Sequence, residues 1–204
     1  MAPDLVRREW AVRAPGGPAL FGQSWLPPTS PRAGILIVHG LAEHSGRYAV
    51  TADDLARAGF AVHAVDYRGH GRSEGPRVHV ERIEDYVADV QAALDYVRSQ
   101  HSGLPLFVLG HSQGALVALK LGLDSPDSID RLVAVSPFFA VHSSSRPSAF
   151  MQGLATVLLR IAPSIPMPTR IDVRVLARDP AVGEAYNRDP VSYTHLTLPT
   201  IYSV

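Results

Sequence analysis

Short apolar runs that alternate with helical segments constrain the fold of this chain more than any other feature. The runs ILIV, FAVHAV, LFVL and LVAV begin at residues 35, 60, 106 and 132. Nearly continuous apolar runs of this length are typical of strands that are buried on both faces of a sheet. Between them, apolar residues recur at helical spacing, and the stretch from Ile83 to Gln100 is predicted as a helix because its apolar residues recur at Val87, Val90, Leu94 and Val97. Strands that alternate with helices predict an α/β protein with a mostly parallel sheet.

The stretches outside this alternation predict a hairpin and an insertion. Residues 10–12 and 19–21 flank the turn-rich segment 14–18, which predicts an N-terminal β-hairpin. From Phe138 to about Asp189 the alternation stops, and an apolar helix around Leu154 and Leu158 precedes a proline-rich stretch. We therefore expect a core over residues 1–137 and an insertion over residues 138–190 that lies across the sheet.

Composition excludes several classes of function. At 204 residues, with 46% hydrophobic and 19% charged residues, the chain has the composition of one folded domain. The net charge of zero does not indicate a nucleic-acid partner. The chain has no cysteine, so disulfides, thiolate zinc sites and a cysteine nucleophile are excluded. The histidines lack metal-ligand spacing, and neither a signal core nor a bilayer-spanning run is present, which predicts a metal-free cytoplasmic protein.

The segment Gly110-His111-Ser112-Gln113-Gly114 fits the G-x-S-x-G pattern. This pattern indicates a nucleophilic serine only where a buried strand precedes it and a helix follows it. Residues 106–109 and 115–123 meet both conditions. At such a strained turn the serine hydroxyl projects above the strand ends, and the two glycines let strand and helix approach without a side-chain clash. We therefore predict Ser112 as the nucleophile of a serine hydrolase.

A tetrahedral intermediate also needs backbone N–H groups directed at its developing negative charge. The residue after the nucleophile, Gln113, supplies one such group. The second is expected from the loop after an earlier strand, and His39-Gly40-Leu41 follows a strand directly, so Leu41 is the second predicted donor. His39 and His111 flank the site, and we interpret both as structural, hydrogen-bonded histidines rather than as bases.

Three sequence blocks carry a resemblance to a known family. They read HGLAEHSGRY from residue 39, DYRGHGRSEG from residue 66 and GHSQG from residue 110. In this order and spacing they resemble the monoacylglycerol lipase and lysophospholipase-like branch of the α/β-hydrolases. The resemblance implies an α/β-hydrolase fold, Ser112 as the nucleophile, and the N–H groups of Leu41 and Gln113 as oxyanion donors. It also implies that residues 138–189 form a lid with an apolar acyl channel, and that no cofactor is needed.

Other polar residues of these blocks are interpreted as supports of the site rather than as catalytic groups. His44 and His70 are expected to orient loops. An ion-pair and turn network behind the site is expected from five charged residues, Glu43, Arg47, Asp66, Arg68 and Arg72.

The sequence contains no evident acid and base for this serine. In the α/β-hydrolase fold the chain order is serine, acid, histidine, and the family places the last two after the lid on loops of two further strands. After Ser112 the only histidines in the sequence are His142, at the lid entrance, and His195. We therefore expect the last strands, the acid and the base to be missing and the fragment to lack turnover. The strand at residues 132–135 is then expected to form an exposed apolar edge.

Residues 191–204 read VSYTHLTLPTIYSV and differ from the preceding composition. Residues 191–200 match the translation of a sequencing-library transposase adapter. We therefore expect the native sequence to end near Pro190 and a non-native tail to follow it.

For the parent protein, the leading hypothesis is a serine esterase or lipase that acts on a single-chain acyl ester, with monoacylglycerol as the first candidate substrate. A lysophospholipase, an acyltransferase and a peptidase are alternatives, because a fold does not fix a substrate. A non-catalytic α/β-hydrolase-like binding protein is the alternative from another class. Transient contact of the lid with a membrane surface is left open by the sequence.

Overall fold

A computed structural model describes residues 4–139, 166–168, 178–189 and 195–197. Its strands are β1 (Val6–Arg13), β2 (Ala19–Leu26), β3 (Gly34–Val38), β4 (Ala61–Asp66), β5 (Leu106–His111), β6 (Arg131–Val135), β7 (Pro166–Pro168) and β8 (His195–Thr197). Its α-helices are α1 (Ala49–Arg57), α2 (Ile83–Gln100), α3 (Gln113–Asp124) and α4 (Pro180–Arg188), with 3-10 turns at Ser45–Tyr48 and Pro126–Ser128.

The main sheet has six strands in the order β1-β2-β4-β3-β5-β6. The hairpin β1–β2 is antiparallel, and β2 pairs antiparallel with β4, whereas β4, β3, β5 and β6 are parallel to one another. Val38 at the end of β3 lies opposite Val65 of β4 and Gly110 of β5. The loops that follow these three strands therefore meet at one edge of the sheet, which is where ligands bind in open α/β sheets.

Alternate residues of the central strand supply the two hydrophobic layers. Leu36 and Val38 face α2 and α3, and they are fully buried in one cluster that includes Val90, Leu94 and Leu121. The intervening Ile35 and Ile37 face α1 in a second cluster with Ala52 and Ala56. Each large apolar side chain buried in this way stabilises the fold by roughly 1.5–3 kcal/mol. Helices on both faces of a mostly parallel sheet confirm the predicted α/β architecture.

Element boundaries agree closely with the predictions where periodicity is strong. The helix α2 begins and ends as predicted, and α1 ends before Gly59, whose φ of +91° suits a glycine after a helix. The strand β6 was predicted as a buried strand, and that prediction is wrong. Val133 and Val135 are 50% and 41% exposed, because in the described part of the chain β6 pairs with β5 alone. The predicted exposed apolar edge is thereby confirmed.

Helix α4, at the end of the insertion, was not predicted from the sequence. Asp179 caps this helix by accepting a hydrogen bond from the Ala181 N–H at 2.9 Å, and Pro180 occupies its first turn, so the start signal was present in the sequence. The predicted apolar helix around Leu154 and Leu158 lies outside the described residues, as does most of the predicted tail. The tail's described part, β8, pairs antiparallel with β7. Among the described helices, none has the length and apolarity that crossing a bilayer requires.

Candidate active site

Ser112 lies at the sharp turn between β5 and α3, at the edge where the loops meet. Its backbone adopts φ +52° and ψ −117°, a strained conformation for a residue that carries a side chain. Its N–H donates to the Val135 carbonyl at 2.9 Å, and its carbonyl accepts from the N–H groups of Leu116 and Phe138 at 3.2 and 3.3 Å. The turn is therefore fixed by its neighbours β6 and α3, and the serine remains only half-buried.

The two glycines of the motif let backbone segments approach more closely than any side chain would permit. A Cβ at Gly110 would lie 2.6 Å from the Ala115 Cα, and one at Gly114 would lie 2.3 Å from the His39 carbonyl oxygen. A Cβ at Gly40 would lie 3.3 Å from the Ser112 Cβ, which places the loop after β3 directly against the serine. The predicted steric reason for the motif is therefore met at both of its glycines.

The two predicted oxyanion donors flank this turn. Leu41 is in the loop after β3, and Gln113 is the first residue of α3. Within the described residues, neither backbone N–H donates to a protein acceptor. The Tyr67 hydroxyl joins the two segments, because it lies 3.1 Å from the carbonyls of His39 and Gly40 and from the Gln113 Oε1. Sequence reasoning missed Tyr67, although it follows β4 directly.

His39 is a buried structural residue, as predicted. Its Nδ1–H donates to the Gly40 carbonyl at 2.7 Å, and its ring stacks on Tyr67 with centroids 4.1 Å apart. Burial lowers the pKa of His39, and the charges of nearby acids oppose this only in part. His39 therefore remains neutral and holds the carbonyl that follows it.

Glu43 lies beside the motif, not behind the site as predicted. Its Oε2 accepts hydrogen bonds from the Gly40 N–H at 3.2 Å and the Tyr48 hydroxyl at 2.9 Å, and it lies 3.6 Å from the His111 Nδ1. Burial raises the pKa of Glu43, but His111 and Tyr48 outweigh it and lower the pKa to about 2. The contact with Glu43 raises the pKa of His111 in turn, against the effect of burial. A carboxylate thus connects the loop after β3 with the motif itself.

Among the other charged residues of the predicted network, Asp66 and Arg72 contact each other, whereas Arg68 binds a partner outside the predicted set. Asp66 accepts the backbone N–H groups of Ser45 and Arg72, at 2.6 and 2.9 Å, and so folds the loops at the end of β4. Arg68 forms a bidentate ion pair with Asp89 of α2, with both N–O distances at 2.8 Å. The Arg72 guanidinium pairs with an exposed glutamate of β1. His70 donates from its Nδ1 to the Arg68 carbonyl at 3.0 Å, which fits its predicted loop-orienting role.

Three comparisons with known proteins agree with this architecture. The family described as serine aminopeptidase S33 matches residues 29–204. Monoacylglycerol lipase of Mycolicibacterium smegmatis is 36% identical over 95% of this chain and 68% of its own length, and human monoglyceride lipase is 35% identical over 86% and 57%. The crystal structure of Paleococcus ferrophilus monoacylglycerol lipase superimposes with a TM-score of 0.70 at 31% identity, covering 96% of this chain and 66% of that one.

The chain belongs to the serine aminopeptidase S33 family, in its monoacylglycerol lipase branch. The family match includes the whole predicted core from β3 onward, together with the Ser112 turn. The chain spans about two thirds or less of the length of these relatives. This membership confirms the α/β-hydrolase fold inferred from the three sequence blocks.

A second serine, Ser24, contacts a histidine, but unlike Ser112 it is buried. The Ser24 Oγ lies 2.8 Å from the His63 Nδ1 and accepts the Trp10 Nε1–H at 2.9 Å. Ser24 and His63 are only 3% and 2% exposed, so no substrate reaches them. We therefore interpret this contact as a buried hydrogen-bond network of the sheet.

The Ser112 hydroxyl has no histidine or carboxylate partner within the described residues. His142 lies outside them, and of His195 only the backbone is described. The described part of the chain also contains no cluster of residues that could hold a metal ion. The described part of the candidate site therefore comprises the Ser112 turn and the segments of Leu41 and Gln113, which contacts of Tyr67 and Glu43 hold in place.

Proposed function

We propose that this chain carries the nucleophile half of a serine ester hydrolase that forms an acyl-enzyme on Ser112. The observation that carries the proposal is the strained, half-buried Ser112 turn, beside which the N–H groups of Leu41 and Gln113 have no acceptor among the described residues. Backbone donors fixed in this way stabilise an oxyanion without reorganising during the reaction.

In the proposed reaction the Ser112 Oγ attacks the ester carbonyl, and the carbonyl oxygen becomes an oxyanion held by the Leu41 and Gln113 N–H groups. The C–O bond to the alcohol breaks, and the alcohol leaves with the proton that Ser112 lost. Water then attacks the acyl-enzyme and releases the fatty acid. A histidine and a carboxylate must transfer and stabilise this proton, and we assign them to positions outside the described residues.

Monoacylglycerol is the substrate that the relatives favour, since two of the three named above are called monoacylglycerol lipases and the third a monoglyceride lipase. The family description as an aminopeptidase keeps a peptidase open, and lysophospholipids and acyl transfer remain alternatives on the same fold. Phe139 is 65% exposed where the insertion begins, and this supports a transient lipid contact in that region. A non-catalytic binding protein remains the alternative from another class. Its only support is that the described residues include no histidine that could act as a base for Ser112.

Labelling with a fluorophosphonate probe tests the proposal, because the probe reacts with an activated serine and not with an ordinary one. In the full-length parent, which supplies the acid and base, we expect Ser112-dependent labelling that Ser112→Ala removes. Ser102→Ala, at an exposed serine of the turn after α2, is the matched control and should label normally. Labelling that persists in Ser112→Ala, or none in a folded full-length parent, would contradict the proposal.

The origin of residues 191–204 is a separate proposal. We infer that these residues are not native, on the match between residues 191–200 and a translated adapter. Sequencing the source gene across codon 190 tests this inference. A frame that continues into two strands with an aspartate and then a histidine supports it, and a genomic copy of residues 191–204 overturns it.

A further inference from the structure

We propose that Asp189 is a positioning residue that fastens α4 to the loop after β3, the loop that carries Leu41. The consequence for catalysis rests on the proposed function, whereas the contact itself does not. Asp189 and its partner His44 are 145 positions apart in sequence, and each side chain is only 17% exposed. A contact of this range and burial fixes one segment relative to another.

The hydrogen bond at the centre of this contact has a defined direction. The His44 Nε2 lies 2.8 Å from the Asp189 Oδ2, and the His44 Nδ1 accepts the Gly46 N–H at 3.2 Å. Because Nδ1 acts as an acceptor, the ring proton of a neutral imidazole is on Nε2 and is donated to the carboxylate. The small Gly46 permits this arrangement, since a Cβ there would lie 3.0 Å from the His44 ring.

Arg47 of the same loop adds two further attractions. Its Nη1 lies 3.9 Å from the Asp189 Oδ2, and its guanidinium lies over the Tyr186 ring, 4.7 Å from the centroid. Tyr186 is 8% exposed, so this cation–π contact is largely shielded from water. The last turn of α4 therefore contacts the loop through a carboxylate and an aromatic ring.

The position of Asp189 is unfavourable for α4 alone. It follows the C-terminal end of the helix, where the helix dipole disfavours a carboxylate. The acidic residue that suits the helix is Asp179, which caps its N-terminus. The loop cation and the His44 N–H offset this dipole penalty, so the charge of Asp189 serves the contact between segments.

The fastened loop also forms one side of the candidate site. Glu43 precedes His44, binds the Gly40 N–H and approaches His111, which precedes Ser112. Leu41 lies between Gly40 and Glu43. Release of α4 would therefore free the loop on its outer side and let the Leu41 N–H move away from the serine.

Hydrogen exchange followed by mass spectrometry on the full 204-residue chain tests the proposal. In Asp189→Ala we expect protection to fall about tenfold in residues 178–189 and also in residues 39–48, with α2 unaffected. The control is Glu184→Gln, which removes an exposed pair with Arg188 on the same helix and should leave both segments protected. His44→Ala should reproduce the loss, and the double variant should add nothing to it.

The outcomes separate the alternatives. Asp189→Asn keeps an acceptor for His44 and should restore part of the protection that Asp189→Ala loses. Loss confined to residues 178–189 would mean that Asp189 stabilises only its own helix, and this result would overturn the proposal, as would unchanged exchange in both segments. In the full-length parent, the rate of fluorophosphonate labelling at Ser112 should fall in Asp189→Ala together with the protection of residues 39–48. If the folded full-length parent does not label at all, the proposed function fails while the exchange result still decides the contact.

Discussion

Ser24 and Ser112 lie on the same sheet in opposite surroundings. The Ser24 hydroxyl has a histidine at 2.8 Å and an indole donor at 2.9 Å but is 3% exposed. Ser112 has no such partner within the described residues, yet it is half-buried at a strained turn beside two unpaired N–H groups. A short serine–histidine distance therefore does not by itself indicate a serine that a substrate can reach.

The remaining contacts of His63 support the structural interpretation of the Ser24 network. Its Nδ1 faces Ser24, and its Nε2 lies 2.8 Å from the His101 Nε2. Both ring nitrogens are therefore occupied by protein groups, and neither is available to activate a substrate. Ser112 differs because its surroundings leave hydrogen-bonding capacity unused.

The largest expected effect comes from adding one methyl group at the Ser112 turn. In Gly114→Ala the new Cβ would lie 2.3 and 2.4 Å from the carbonyl oxygens of His39 and Val38, which are backbone atoms. We expect the free energy of unfolding to fall by about 3 kcal/mol or more and Ser112 labelling to be lost. Urea unfolding measures the loss of stability, and the fluorophosphonate probe on the full-length parent measures the loss of labelling.

Gly22→Ala is the matched change in the Ser24 network. Its Cβ would lie 2.2 Å from the Trp10 ring, a side chain that can shift where backbone cannot. We expect a smaller loss, about 1–3 kcal/mol, with normal labelling of the folded fraction. A Gly114→Ala chain as stable as the unaltered one would show that the close approach is not required.

The sequence allowed the Ser112 turn to be predicted and the Ser24 network to be missed, for a physical reason. The Ser112 turn is local, so strand, serine, glycines and helix are consecutive and each constrains the next. Periodicity fixed the bounds of α2 for the same reason. The Ser24 network, the Tyr67 hydroxyl and the Asp189 contact each join residues that are distant in sequence. Only the pairing of β2 with β4 and the packing of loops bring such groups together.

The second prediction is that His63, in the Ser24 network, makes the fold less stable in acid. Burial, and to a lesser degree His101, lower the pKa of His63 from its ordinary 6.5 to about 3. As the pH falls below 6.5, His63 binds a proton in the unfolded chain but not in the folded chain. The free energy of unfolding therefore falls progressively down to about pH 3. Between pH 7.5 and pH 5, the shifted pKa of His63 should lower the free energy of unfolding by about 2 kcal/mol.

Urea unfolding at these two pH values measures the loss. His63→Gln should remove it while keeping groups that hydrogen-bond to Ser24 and His101. His79→Gln, at a histidine outside this network, is the control and should lose as much stability on acidification as the unaltered chain. The same acid loss in His63→Gln would assign the effect to other groups.

The third prediction compares two tyrosines, one near each serine. Tyr67→Phe removes the hydroxyl that joins the loop after β3 to α3, and we expect about 1 kcal/mol of lost stability with slower Ser112 labelling. Tyr96 stacks on Trp10 with ring centroids 4.5 Å apart, and Tyr96→Phe preserves that stacking. It should change stability by less than about 0.5 kcal/mol and leave labelling unaltered. Equal effects of the two substitutions would refute a special role for the Tyr67 hydroxyl.

The smallest expected effect is a titration shift beside Ser112. The contact with Glu43 raises the pKa of His111 above its ordinary 6.5, and burial opposes it. In Glu43→Gln the amide carries no charge, so burial and the nearby charge of Arg47 both lower the pKa of His111, which should fall below 6.5. The change is visible in the pH dependence of the His111 ring signals by NMR. Glu81→Gln, at an exposed glutamate before α2, is the control and should leave the titration of His111 in place. If Glu43→Gln also leaves it in place, Glu43 does not set the charge of the residue before Ser112, and its role is confined to accepting hydrogen bonds from the Gly40 N–H and the Tyr48 hydroxyl.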